Sequence, residues 1–243
     1  MDPVRTIRVG AALACATAAA LTAFTSPAEA TDYSPRIIDG GDAGSGPWAA
    51  RLFSDGRETC SATIIAAKWI LTAEHCVAGG GTLTFHIGSL DQTQGEQATG
   101  VSVHTHPTAD LALVELDHDV QATYAPLGPG SAVSGGQTVQ IYGWGATCTD
   151  QPEINCQSRT LKVADVTVAT TSGSDYRGGR AVTVTYGDGI AAGGDSGGPM
   201  FATSPVDGQY YQVGVASTSD RATTSNYTAT FEYRDWITQT SGV

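Results

Sequence analysis

A chain of 243 residues with 24 acidic and 12 basic side chains carries a formal net charge of −12. That acidity excludes non-specific attachment to nucleic acid or to an anionic membrane surface, and it favours solubility. The length suits one large β domain or two small ones.

In chain order, the first element is a leader in three parts. Arg5 and Arg8 are basic, an Ala-rich apolar run follows from Val9 to Phe24, and Ala28-Glu29-Ala30 is an A-x-A cleavage site. This pattern predicts a secretory signal peptide over residues 1–30 and a secreted, extracellular product. No later stretch is long and apolar enough to span a membrane. Residues 31–36 (Thr-Asp-Tyr-Ser-Pro-Arg) form a short polar propeptide, and the mature chain is expected to begin at Ile37. Of five cysteines, Cys15 leaves with the leader. The remaining four suggest disulfides in an exported chain, with three pairings open. We favour Cys60–Cys76, which would tie a strand to the turn carrying His75, and Cys148–Cys156, which would close a short loop after Trp144. A zinc site competes poorly, because no C-x-x-C spacing is present.

From Ser61 onward the chain reads as short strands: Ser61–Ala66, Leu83–Ile87, Val101–His104, Leu111–Leu116, Thr138–Tyr142, Leu161–Val168, Ala181–Tyr186, Tyr210–Ser217 and Tyr227–Phe231. They are rich in Val, Ile, Thr and Tyr, several alternate apolar with polar residues, and Gly, Pro, Ser and Asp clusters divide them. Many short strands with turn signals argue an all-β sandwich or barrel. The segment Pro126–Gly136 is a candidate crossing between two β-barrels. Tyr233, Trp236 and Ile237 recur at helical spacing, which predicts a C-terminal helix over 232–240.

Three side chains stand out for chemistry. Thr72-Ala73-Glu74-His75-Cys76 sets a histidine beside a cysteine, Asp110 precedes an apolar strand in Ala109-Asp110-Leu111-Ala112-Leu113, and Ser196 lies in Gly194-Asp195-Ser196-Gly197-Gly198-Pro199. A serine hydroxyl is protonated at neutral pH, so it needs a base to take its proton and a third group to orient that base. The run Gly194–Gly198 also satisfies the G-x-S-x-G of α/β-hydrolases, but all five histidines precede Ser196, which leaves that fold without its base. His104-x-His106 near Asp110 is a weak metal pattern, and the two carboxylates of Asp91–Glu96 are a weak calcium pattern. Neither is adopted, and no cofactor or metal is expected.

In these motifs and their order the chain resembles the secreted bacterial serine proteases of the trypsin/chymotrypsin fold, over about residues 37–240. The resemblance implies an all-β fold of two antiparallel Greek-key β-barrels, about 37–128 and 129–231, with the active site between them and a short C-terminal helix. It implies a catalytic triad of His75, Asp110 and Ser196, an oxyanion hole from the backbone N–H groups of Gly194 and Ser196, and Ser217 as a supporting residue near Asp110. It also implies a zymogen cleaved at Arg36-Ile37, whose new α-amino group pairs with Asp195. The substrates would be proteins or peptides, the activator a basic-specific protease, and the enzyme a monomer. In the specificity pocket the resemblance puts Ile190 at the floor, Ser217 on the wall and Ser219 at the entrance. That set favours small or medium apolar side chains over Arg or Lys. Glu74 departs from the family's small residue; its carboxylate either faces solvent or raises the pKa of His75. With Ile190 and Thr218 it supports the alternative of a protease-like binding domain with little catalysis.

Overall fold

The structure is a computed structural model that describes Met1, Asp2 and residues 37–243. Residues 3–36, which hold the rest of the expected leader with Cys15 and the expected propeptide with Arg36, lie outside the described residues. The strands are β1 (Gly41–Asp42), β2 (Ala49–Ser54), β3 (Arg57–Ala66), β4 (Trp69–Thr72), β5 (Leu83–Ile87), β6 (Glu96–Thr105), β7 (Ala112–Leu116), β8 (Thr138–Gly143), β9 (Lys162–Ser174), β10 (Arg180–Thr185), β11 (Pro199–Thr203), β12 (Tyr210–Ser219) and β13 (Thr224–Ala229). One α-helix, α1 (Arg234–Ser241), follows.

Local chemistry explains the elements. In β5, Leu83, Phe85 and Ile87 are buried while Thr84 and His86 between them are partly open, the period of two that a half-buried strand requires. The β2–β3 hairpin turns on Asp55-Gly56, with φ of 50° and 78°, and Ser54 pairs with Arg57. Two residues at positive φ make the tight turn whose twist suits an antiparallel pair.

The strands close into two barrels. The first runs β2-β3-β4-β7-β6-β5 and is sealed by the pairing of β2 with β5. The second runs β9-β10-β13-β12-β11-β8 and is sealed by β8 with β9. Every strand pair is antiparallel. The order of the first barrel, with three consecutive strands followed by β7, β6 and β5, is a Greek-key arrangement. One core gathers Leu52, Ile64, Phe85 and Leu113 inside the first barrel. A second gathers Ile141, Val166, Val184 and Val213 inside the other. Each such side chain stabilises the fold by about 1.5–3 kcal/mol through burial.

One boundary differs from expectation. β1 pairs with β9 and so belongs to the second barrel, although it precedes the first in sequence. The preceding Ile38 also bridges to Ile190. The helix begins at Arg234 after a 3₁₀ turn over Thr230–Tyr233, and Gly242 at φ 77° closes it by donating to Thr238 O at 2.9 Å. Its Ile237 is fully buried and packs with the first barrel's core.

Candidate active site

His75 occupies a single 3₁₀ turn, Glu74–Cys76, directly after β4. The disulfide Cys60–Cys76 anchors that turn to β3. Asp110 lies just ahead of β7 with its side chain fully buried. The two meet twice: His75 Nδ1 and Asp110 Oδ2 are 2.8 Å apart, and the His75 backbone N–H donates to Asp110 Oδ1 at 3.0 Å. Ser217 Oγ donates to Asp110 Oδ2 at 2.6 Å and accepts from Tyr176 N–H at 2.9 Å. Burial alone would raise the Asp110 carboxyl's pKa. The hydrogen bonds from His75 and Ser217, with the imidazole charge, outweigh it and hold the pKa below its ordinary value. The carboxylate is thus kept ionised, with one oxygen aimed at Nδ1.

A buried carboxylate beyond this pair is not evident from sequence. Asp175 Oδ2 accepts from the Asp110 N–H at 2.9 Å and from Thr228 Oγ1 at 3.1 Å, and Thr228 Oγ1 also reaches Asp110 O. The second barrel therefore grips the backbone of Asp110. The only hint in the sequence is the turn Ser-Asp-Tyr-Arg-Gly-Gly after β9.

Ser196 follows a tight turn, Ala192–Asp195, which Asp195 N–H closes on Ala192 O at 3.1 Å. Gly194, third in that turn, has φ 99°, and a β-carbon there would lie 1.9 Å from Gln157 Oε1. Positive φ at this position is the mark of a type II turn and accounts for the glycine. Gly197 is similarly forced, at φ 77° with Thr72 Oγ1 only 2.1 Å from a notional β-carbon. Its N–H donates to Ala216 O at 2.8 Å, and Ser61 N–H donates to Ser196 O at 2.9 Å. These bonds fix the backbone on both sides of the serine. Neither Gly194 N–H nor Ser196 N–H donates to an acceptor among the described residues.

A cavity of about 470 Å³ holds these groups together. His75, Ser196, Ser217 and Ser219 line it, with Ala191, Ala192 and Ala216 as apolar wall. Ile190 does not line it. Its side chain is fully buried, and its N–H is bonded to Ile38 O. Among the lining residues, Ser219 Oγ donates to Ala191 O at 2.6 Å and accepts from Ser225 Oγ at 3.0 Å. That hydroxyl ties together two segments of the cavity lining, Ser219 on β12 and Ala191.

The Asp195 carboxylate is turned inward. It accepts from Gly145 N–H at 2.7 Å and from Ala192 N–H at 2.9 Å. Burial pushes its pKa up to about 6 against those bonds and the attraction of Arg51. Ile37 is fully buried, at φ 33°. While it is joined to Arg36 in the chain, its nitrogen is an amide and carries no charge for Asp195.

Glu74 departs from the expectation that it faces solvent. Its side chain is 16% exposed and pairs with Arg177 Nη1 at 2.8 Å. The next residue back, Tyr176, sets its ring edge-on to the His75 imidazole, 6.0 Å between centroids. At the other end of the cleft Arg221, at φ 61°, forms a two-pronged pair with Glu153. The second disulfide, Cys148–Cys156, closes the loop that carries Glu153. The weak metal patterns are occupied otherwise. His106 accepts two backbone N–H bonds and packs between Tyr233 and Trp236. Asp91 binds Arg159 and Thr93, while Glu96 pairs with His118.

No helix among the described residues is long and apolar enough to cross a membrane. The family model described as Trypsin matches residues 38–237. An uncharacterized peptidase of Corynebacterium glutamicum is 29% identical over 77% of this chain and 66% of its own length. Serine protease 56 of Homo sapiens is 29% identical over 74% of this chain, which spans 34% of that protein. Chymotrypsin-like elastase family member 1 of Rattus norvegicus is 32% identical over 75% of this chain and 78% of its own length. With a family model spanning both barrels and a relative matched along most of its length, the chain belongs to the trypsin family of serine proteases.

Proposed function

We propose that this chain is a secreted serine endopeptidase that cleaves protein or peptide bonds through an acyl-enzyme. One observation carries it: the His75–Asp110 pair opens into the cleft that also contains Ser196, beside two backbone N–H donors without acceptors among the described residues. Ser196 Oγ attacks the scissile carbonyl carbon while His75 Nε2 takes its proton. The negative oxygen is received by the N–H groups of Gly194 and Ser196. The C–N bond then breaks, and His75 returns the proton to the leaving amine. Water, deprotonated by His75, attacks the ester and releases the acid. Asp110 holds the imidazole in the required tautomer and balances its charge.

The Ser219–Ala191 strap and the alanine walls support a small or medium apolar residue before the scissile bond. No carboxylate among the described residues lines the cavity to receive Arg or Lys. Production as a zymogen cut at Arg36-Ile37 fits the strained torsion at Ile37, a β-branched residue at positive φ whose cost is on the order of 1–3 kcal/mol. Cleavage abolishes that torsion and creates an amine for Asp195. A pocket that excludes Arg calls for a separate basic-specific activator. The chain acts as a monomer.

The test is a cleavage profile. Precursor processed at Arg36-Ile37 by a basic-specific protease, which is then removed, digests a mixed peptide library beside a Ser196→Ala control. Cuts after Ala, Val or similar residues that vanish in the control are expected. Absence of Ser196-dependent cuts would favour a binding domain, and cuts after Arg would overturn the assigned specificity.

A further inference from the structure

The most unusual residue outside the triad is Arg51. It lies on β2, in the first barrel, and is fully buried. Burying a guanidinium costs several kcal/mol unless its donors and its charge are answered. Its partners lie across the barrel boundary. Nη1 donates to Gly194 O at 3.1 Å, and Nη2 donates to Gln157 Oε1 at 3.0 Å. Gln157, at the end of the disulfide loop, passes the contact on: its Nε2 donates to Gly193 O at 2.8 Å and to Glu153 O at 2.9 Å. Gly193 N–H donates to Glu153 Oε1 at 3.0 Å.

These bonds fall on three consecutive peptide groups, and the middle one, Gly193–Gly194, carries the Gly194 N–H. A trans peptide is planar, so its N–H points opposite to its C=O. Where Gly193 O is held, the Gly194 N–H is held too, in the opposite sense. Ala146 N–H and Gln157 Nε2 both pull Gly193 O away from the cleft. Rotating that peptide would break both bonds and drive its oxygen to where the N–H now stands. Arg51 then fixes the next carbonyl, Gly194 O, together with Ser61 Oγ at 2.9 Å. Burial lowers the guanidinium's pKa to about 10, against the attraction of Asp195 and Glu58, so it is charged at neutral pH.

We propose that Arg51 and Gln157 are positioning residues that clamp the Gly193–Gly194 peptide with its N–H toward the scissile carbonyl. This rests on the cleft being an acyl-transfer site. The role differs from that of a strut between barrels, because it acts on a donor needed only when charge develops on the substrate oxygen.

The test uses processed full-length enzyme. Gln157→Glu keeps an acceptor for Arg51 but removes the donor to Gly193 O, and Arg51→Lys keeps the charge but loses the fork. Four quantities are read for each: kcat and KM on a peptide amide, the inhibition constant of a peptidyl boronate that places an oxygen in the hole, and the Kd of the uncleaved peptide on a Ser196→Ala background. The clamp predicts a fall in kcat of about 10–100-fold for Gln157→Glu, as when an oxyanion donor is partly lost. Boronate affinity should fall in step, with KM and peptide Kd within about twofold. An active parent whose Gln157→Glu variant keeps kcat within twofold overturns the clamp alone. So does a loss shared equally by kcat and peptide Kd, which marks a structural role. If Arg51→Lys fails to fold, Gln157→Glu decides. A parent with no Ser196-dependent hydrolysis overturns the acyl-transfer assignment, and the clamp with it.

Discussion

Ser219→Gly removes the hydroxyl that straps the pocket and should lengthen it. In the parent, Ser219 Oγ donates to Ala191 O at 2.6 Å and accepts from Ser225 Oγ at 3.0 Å and Arg221 N–H at 2.9 Å. Without it the walls are no longer tied, and the space above buried Ile190 opens to a longer side chain. Fully burying a phenylalanine side chain is worth about 1.5–3 kcal/mol. At about 1.4 kcal/mol per tenfold, the ratio of kcat/KM for Phe to that for Ala before the scissile bond should rise by about 10–150-fold. The lost neutral hydrogen bonds, each worth about 0.5–1.5 kcal/mol, should lower Tm by several degrees. The assay is kcat/KM on a tetrapeptide amide series with Gly, Ala, Val, Leu and Phe at that position. The parent should decline beyond Val, and the variant should not. A parent that already cleaves after Phe as well as after Ala, or a variant whose Phe-to-Ala ratio moves less than threefold, would refute the assigned pocket.

Ser217→Ala removes a buried hydrogen bond to an ionised carboxylate. Such bonds are worth about 1.5–3 kcal/mol, so kcat should fall by about 10–100-fold with little change in KM, measured by amide hydrolysis. Asp195 predicts a pH effect of opposite sign to most carboxylates. Its folded pKa of about 6 exceeds the unfolded value, so the intact chain binds this proton more tightly than the unfolded chain does. The stability it adds is full below pH ~4 and is lost as pH rises through about 6, by about 3 kcal/mol at most. Thermal unfolding of intact Ser196→Ala precursor across that window, against the same chain with Asp195→Asn added, should show the loss only in the former. Processing at Arg36-Ile37 should suppress it if the Ile37 amine reaches Asp195; a difference between the two chains that does not change with pH removes the effect.

Much of the architecture is legible in the sequence because solvent-facing strands announce themselves. Lys162, Ala164, Val166 and Val168 of β9 are buried while the residues between them are not. Of the four strands that escape notice, β1 is only two exposed residues, while β2, β4 and β11 are mostly buried and have no wet face to set a period of two. β11 also begins at Pro199, a residue that ordinarily argues against a strand interior. The residues of the cleft divide in the same way. His75, Asp110 and Ser196 are visible because their chemistry demands particular side chains in particular local strings. Asp175, Glu153, Gln157 and Arg51 act through partners 36 to 143 residues away, so no local pattern marks them. Arg51 misleads, since a lone arginine in an apolar run reads as a surface charge. Ile190 is found by counting back from the serine, but counting cannot show that its side chain is buried away from the cavity lining.

His75 and Asp110 are carried by one barrel and Ser196 by the other, and Asp110 is secured from the far side by Ser217 and Thr228. A chain with only its first half folded would have a base and nothing to activate. One with only its second half folded would have a hydroxyl no more reactive than any other serine. Competence would arrive in the last act of folding, when the two halves dock. A nascent or misfolded copy would then be harmless to its neighbours, a safeguard that operates even before any propeptide is removed.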